Sequence, residues 1–242
     1  ALPNFRRGLR ILLDAQEFDK GLNYARLLQE VLARLGFLGE REDIAAQVQA
    51  AAAKVLPKEG PLVRSGVQFL LNRGEELLAT ERIPEATSLL GSLCARMEQE
   101  KGLAYAGDEA SFDRGVALHR LGRCLLAAGR HKQALERYSR AAELLIKLES
   151  TERVRQELMG LYGSLGEAHL AGRAVDEAQG AYQKGLDLAT KLQDRRAMGF
   201  MYARLAAVAT VRGENAPARQ LLEGALGHLT AANDVAGIAA AW

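Results

Sequence analysis

The feature that most constrains this chain is an ordered set of small and apolar residues that returns at long, regular intervals. It runs Leu121-Gly122, Leu125, Ala134, Tyr138, Ala141, and returns as Leu165-Gly166, His169, Ala178, Tyr182, Gly185. A third copy reads Leu205-Ala206, Ala209, Ala218, Leu222, Ala225. A weaker copy lies upstream at Gly74, Leu77, Ala86, Leu90 and Leu93, and a weaker one still at Leu9, Leu12, Gly21, Ala25 and Leu28. The anchor alanines Ala86, Ala134, Ala178 and Ala218 draw gradually closer together along the chain. Within each copy the apolar residues recur at three and four, which places them on one face of each of two successive helices. The breaks between those helices, Gly129-Arg130-His131, Gly172-Arg173-Ala174 and Gly213-Glu214-Asn215, each offer a glycine. Glycine takes the left-handed conformation that ends a helix, so Gly129, Gly172 and Gly213 are the predicted helix stops. Each copy is thus a helical hairpin that cannot bury its own apolar face, and stacking on its neighbours supplies the burial.

Composition agrees with an all-α chain. The 242 residues include 42 Ala and 40 Leu but only 22 Ile, Val and Thr together, a balance that favours helix over sheet. Charged residues make up 26% and prolines number 5, which excludes a disordered or collagen-like chain. No stretch approaches 18 uncharged apolar residues, as a membrane-spanning helix requires. Cys94 and Cys124 stand apart among apolar neighbours and read as small buried hydrophobes in a reducing cytoplasm.

The expected organisation is a single helical repeat domain over 1–242. It comprises a degenerate hairpin at about 4–36, an extra helix at about 40–56, and hairpins at about 62–101, 111–149, 151–193 and 195–232. A further helix starts at 234–242. The extra helix, from Glu40 to Leu56 and closed by Pro57-Lys-Glu-Gly-Pro61, bridges the long gap between the first two copies or caps the groove. Lys101 to Asp108 reads as a loop. Ala1 at one end and the short helix stopping at Trp242 at the other read as a segment of a longer chain.

No motif carries recognisable chemistry. The four histidines, His119, His131, His169 and His228, form no H-E-x-x-H pair or Cys/His cluster, so no metal site is expected. His169 is expected inside and His131 in a solvated turn. There is no G-x-S-x-G, phosphate-binding loop or G-x-G-x-x-G, and the carboxylates Glu75 and Glu76 lie on a helix without a base or nucleophile. The expectation is a protein that is not an enzyme and takes no cofactor.

The Leu-Gly, Ala, Tyr and Ala positions of the hairpins resemble the tetratricopeptide repeat. The resemblance is firm over the last three copies and looser upstream. The family's usual unit is about 34 residues, so the longer spacings here resemble the extended repeats of large signalling and scaffold proteins. The resemblance implies a right-handed superhelix, an α-solenoid. It also implies a peptide or protein partner held in the concave groove that the first helix of each hairpin lines. Transferred to this chain, that face carries Asn72 and Glu75, then His119, Arg120 and Arg123, then Ser164 and Glu167, then Phe200 and Arg204. The family variant that clamps a terminal carboxylate is matched only at Arg204, with His119 and Phe200 where lysine is wanted.

Charge adds to this expectation. Residues 111–147 hold eight Lys/Arg against three Asp/Glu, and residues 195–219 hold five against one, while 75–85 hold one Arg against four Glu. A basic groove suits an acidic segment on the partner. Nucleic acid fits less well, because aromatics for base stacking are only 5% of the chain. The competing reading is a structural spacer or self-assembly module, with homo-oligomers formed through the extra helix and the C-terminal face.

Overall fold

A computed structural model describes residues 2–14, 20–21, 24–25, 27–28, 31–32, 35–37, 39–40, 43–44, 46–47, 60–99 and 102–241. The helices in chain order are α1 (Leu2–Asp14), α2 (Arg64–Ala79), α3 (Ile83–Glu98), α4 (Gly107–Ala127) and α5 (His131–Ile146). They continue with α6 (Glu152–Ala171), α7 (Val175–Lys191), α8 (Arg195–Val211), α9 (Asn215–Ala231) and α10 (Val235–Ala241). Contacts divide the chain into two compact units, 1–113 and 114–242.

In the first unit, Leu9, Gly21, Ala25, Leu28 and Leu32 are buried, so the faint first copy of the pattern forms a packed face. At the positions matching Gly122 and Tyr138 it carries Leu9 and Ala25, and one residue earlier an added Cβ on Gly8 would lie 3.2 Å from the Tyr24 hydroxyl. The approach of glycine to tyrosine therefore recurs here one position out of register, which is why this copy is hard to read. Arg6 pairs with Glu40 and with Asp43. Of the expected helix 40–56, residues 40, 43–44 and 46–47 are helical with Ile44 buried, and the others lie outside the described residues.

Further along this unit, α2 and α3 form a hairpin. A Cβ on Gly74 would come within 2.6 Å of Leu90 Cδ2, so only glycine lets the helices close around that fully buried leucine. Burying such a side chain contributes about 2 kcal/mol. The connector after α3 is an anchored loop. Leu62 N–H donates to Gly102 O at 2.8 Å, and Ala104 N–H donates to Leu62 O at 2.9 Å. The carboxylate of Asp113, wholly buried, accepts from Arg64 Nε (3.1 Å), Gln68 Nε2 (2.9 Å) and Tyr105 Oη (2.9 Å). Three donors, one of them cationic, offset the cost of burying that charge.

The second unit repeats one packing rule. A Cβ on Gly122 would lie 2.4 Å from the Tyr138 ring, and one on Gly166 would lie 2.2 Å from the Tyr182 ring. Both tyrosines are essentially buried, together with the anchor residues Ala134, Ala178 and Ala218. The third copy places Ala206 and half-buried Leu222 at the matching positions. Asp194 caps α8 by accepting from Ala197 N–H at 2.9 Å, and Thr151 caps α6 by accepting from Val154 N–H at 3.3 Å.

The described turns inside the hairpins from α2 onward close in one way. The N–H of Arg82, Arg130, Ala174 and Glu214 reaches back to the carbonyl of Leu77, Leu125, His169 and Ala209. That bond requires a left-handed residue just before it. Gly129 (φ 73°) and Gly213 (φ 77°) fill this place as predicted. The prediction at Gly172 is corrected: Gly172 has φ −82°, and Arg173 takes the left-handed place at φ 62°. The bond pattern fixes which residue must turn, and in this copy the glycine falls one position early. His131 opens α5 and is half-buried, rather than lying in the turn, and His169 is also half-buried. Cys94 and Cys124 are buried thiols, not joined in a disulfide. Among the described residues no helix is long and apolar enough to cross a membrane, and no group of three or more His, Cys, Asp or Glu is arranged to hold a metal ion.

Candidate partner-binding face

The expected site residues fall on the first helices of the hairpins. On α2, in the first unit, Asn72 is exposed and Glu75 half-buried. The other seven lie in the second unit on α4, α6 and α8, and the fold draws several of them into direct contact.

Glu157 and Ser164 are two helical turns apart on α6 and so share a face. The His119 ring from α4 spans them, with Nδ1 2.6 Å from Glu157 Oε1 and Nε2 3.0 Å from Ser164 Oγ. Burial raises the Glu157 carboxyl, but the His119 hydrogen bond and the nearby Arg120 and Arg123 charges outweigh it, so the group is held below the usual carboxylate range. With Glu157 ionised, Nδ1–H donates to it, and Nε2 lies within hydrogen-bond distance of the Ser164 hydroxyl on the opposite side of the ring. His119 also packs edge-on against Tyr138, with centroids 5.7 Å apart and planes at 67°.

This Ser–His–Glu chain has the connectivity of an acyl-transfer site, yet its setting is that of a bolt between hairpins. Ser164 lies mid-helix and is 9% exposed. The backbone N–H groups around it are committed to the helix, leaving no backbone pair to stabilise an oxyanion.

One hairpin further on, Glu167 of α6 pairs with Arg204 of α8. The Arg204 guanidinium lies 5.8 Å from the Tyr182 ring centroid. Phe200 is half-buried with the Arg196 guanidinium 5.6 Å from its ring centroid, and Arg196 Nε donates to Asp234 Oδ2 at 2.6 Å. Arg123 is exposed and Arg120 half-buried.

Glu157 is missing from the face expected on sequence grounds, because its role depends on α4 and α6 lying side by side. The one signal for it is its two-turn distance from Ser164 on a predicted helix. Tyr138 and Tyr182 are buried, as their place in the packing pattern requires. Their hydroxyls differ in a way no spacing shows. Burial raises both phenols, against the pull of Ser164 and Arg123 on Tyr138 and of the Arg204 guanidinium on Tyr182. The Tyr138 hydroxyl sits beside Ser164 without making a hydrogen bond of normal geometry.

Comparison with solved structures gives the arrangement its relatives. BtubC (BKLC) from P. vanneervenii superposes with a TM-score of 0.70 at 17% identity, covering 97% of this chain and 89% of that one. A crystal structure of a Podosopora anserina putative kinesin light chain, described as nearly identical TPR-like repeats, gives 0.58 at 20% identity. It covers 88% of this chain and 97% of that one. This is a tetratricopeptide-like repeat fold. The apo form of RapI gives 0.62 at 7% identity, covering 97% of this chain and 67% of that one. No protein-family model matches the sequence, and comparison with curated proteins yields no match. At these identities the likeness speaks to the fold. In tetratricopeptide terms α4, α6 and α8 are the first helices of successive repeats, and the contacts above join them.

Proposed function

We propose that the chain is a non-catalytic interaction module, part of a larger regulatory protein, that holds a peptide or protein segment along its first-helix face. The observation that carries this reading is the register of α4, α6 and α8. Arg120, Ser164 and Arg204 stand at matching positions of three successive hairpins, with Arg123 and Glu167 one turn after that position and Phe200 one turn before it; Arg123 is exposed and Phe200 half-buried. Such a face offers an extended segment apolar contact at Phe200 and paired donors at the arginines. Recognition there is by shape and a few polar contacts, with no reaction, metal or cofactor, in the cytoplasm.

An array of short peptides of randomised sequence tests the reading. The full chain is expected to capture a subset of them, and Phe200→Ala with Arg204→Ala is expected to lose that capture while keeping its helical circular dichroism. Undiminished binding by the double variant overturns the assignment of the face.

A second reading, a spacer or self-assembly module, draws support from the first unit. There Leu27, Val31 and Leu35 recur at every fourth position and are 53%, 51% and 63% exposed. An apolar line of this kind suits burial against another surface.

A further inference from the structure

The outer strip of the second helices changes character at α9. Aligned on Ala134, Ala178 and Ala218, it reads Arg140, Glu143 and Lys147 along α5 and its C-cap, and Lys184, Asp187 and Lys191 on α7. All six are exposed. On α9 the same three places hold Gly224, Gly227 and Ala231. Glycine weakens a helix interior, and packing within the chain explains neither of these two. An added Cβ on Gly227 would meet nothing within 4 Å, and one on Gly224 would lie in ordinary contact, 3.6 Å from the Tyr202 ring.

Where the long side chains are missing, a cleft of about 850 Å³ opens between α7 and α9, lined also by Arg195 and Met198 at the start of α8. Its apolar side is held in place from within. Met198 packs on the core of this hairpin, and the His228 ring lies flat on Tyr202, with centroids 5.3 Å apart and planes at 9°. Its polar side is a set of donors. Gln193 and Arg195 are exposed at the cleft, and among the described residues neither side chain makes a hydrogen bond or ion pair. The neighbouring Arg196, by contrast, is taken by Asp234. Among the described residues no Asp or Glu lines the cleft, so its one fixed charge is the Arg195 guanidinium.

We infer that the cleft between α7 and α9 receives a helix of a protein partner, seated against Gly224, Gly227 and Ala231 and bearing an Asp or Glu that meets Arg195. Small residues three and then four positions apart form one strip along α9, so a second helix can approach to about 8–10 Å between axes. Apolar side chains of the incoming helix, at the same spacing, cover Met198 and the stacked His228. A carboxylate supplies the charge that the lining lacks, and the guanidinium offers it paired donors. The surface is separate from the proposed first-helix face. Met198 and Tyr202 each lie two positions, about 200° around α8, from Phe200 and Arg204.

The test uses the full chain and a set of alanine-based helical peptides. Each carries leucines at every third and fourth position and one Glu, placed in turn at each remaining position, with a matched Gln form. Fluorescence anisotropy gives the affinities. Wild type is expected to bind a subset and to lose about tenfold when Glu becomes Gln. Gly224→Lys with Gly227→Asp installs the residues that α7 carries at 184 and 187 and closes the cleft. This variant replaces two glycines in a helix, so it is expected to melt no lower than wild type and yet to lose binding by tenfold or more. Arg195→Gln is expected to erase the preference for acid over amide and leave affinity for the Gln form unchanged. Phe200→Ala with Arg204→Ala is expected to leave both affinities unchanged, which separates this cleft from the first-helix face. Binding that survives Gly224→Lys with Gly227→Asp, or capture of no helical peptide, overturns the cleft. A preference that survives Arg195→Gln overturns the acidic anchor. A mass that doubles with concentration, and returns to the monomer in the closed-cleft variant, makes the occupant a second copy and overturns the partner helix.

Discussion

At Arg173 the backbone sits at φ 62°, where a Cβ crowds the neighbouring carbonyl and glycine is at ease. The equivalent residues Gly129 and Gly213 meet that demand without strain. Arg173→Gly is therefore expected to stabilise the chain by about 1 kcal/mol, raising Tm by about 2–4 °C in a thermal melt. An unchanged or lower Tm would mean that Arg173 makes a contact worth more than the strain. The opposite outcome is expected at Gly166, where a methyl would lie 2.2 Å from the Tyr182 ring. Gly166→Ala forces helix or ring to shift and is expected to cost about 1–3 kcal/mol, read from denaturant unfolding. At Gly227 an added Cβ meets nothing within 4 Å, and the same substitution there serves as the mild control.

Pairs of helices depend on bridges between side chains one repeat apart. His119 of α4 and Glu157 of α6 are separated by 38 positions, and Arg204 of α8 and Glu167 of α6 by 37. Glu157 is held ionised below the usual carboxylate range, so near that range the folded chain binds fewer protons than the unfolded one. Its contribution is present at neutral pH and is lost as the pH falls through the folded-state value. Thermal melts from neutral pH down to ~pH 3 are expected to show a smaller acid-induced drop in Tm for Glu157→Gln than for wild type. Equal drops would show that the carboxylate carries no linked protonation. The same separations mark how far the elements are legible in the sequence. The hairpins are legible because a small residue and the large one it faces, such as Gly122 and Tyr138, sit within one hairpin and follow helix geometry. Glu157 and Glu167 are not legible as partners, since their contacts depend on how one hairpin lies against the next.

For the molecule as a whole, the choice between holding a partner and self-assembly is decided by mass. If the face of α4, α6 and α8 is the working surface, light scattering over a concentration series is expected to return a constant mass. Mass that climbs with concentration, and falls back in Leu27→Lys with Val31→Lys, favours assembly through the apolar line of the first unit. Leu27 and Val31 are about half exposed, so charging them leaves the buried Leu28 and Leu32 in place.

That this chain is helical, that its helices pair into hairpins, and that glycine meets leucine or tyrosine between α2 and α3, α4 and α5, and α6 and α7 can all be read from the residues in order. Those properties follow from local periodicity and side-chain volume, which travel with the residues wherever the hairpin is placed. The left-handed turn at Arg173 rather than Gly172 cannot be read that way, because it is settled by which carbonyl the next N–H reaches. Nor can the answer of Glu167 to Arg204, or the unanswered Tyr138 hydroxyl. Those outcomes belong to the tertiary structure, since charge and hydrogen bonding act over a few ångströms, and only the stacking of hairpins brings residues nearly forty positions apart within that reach.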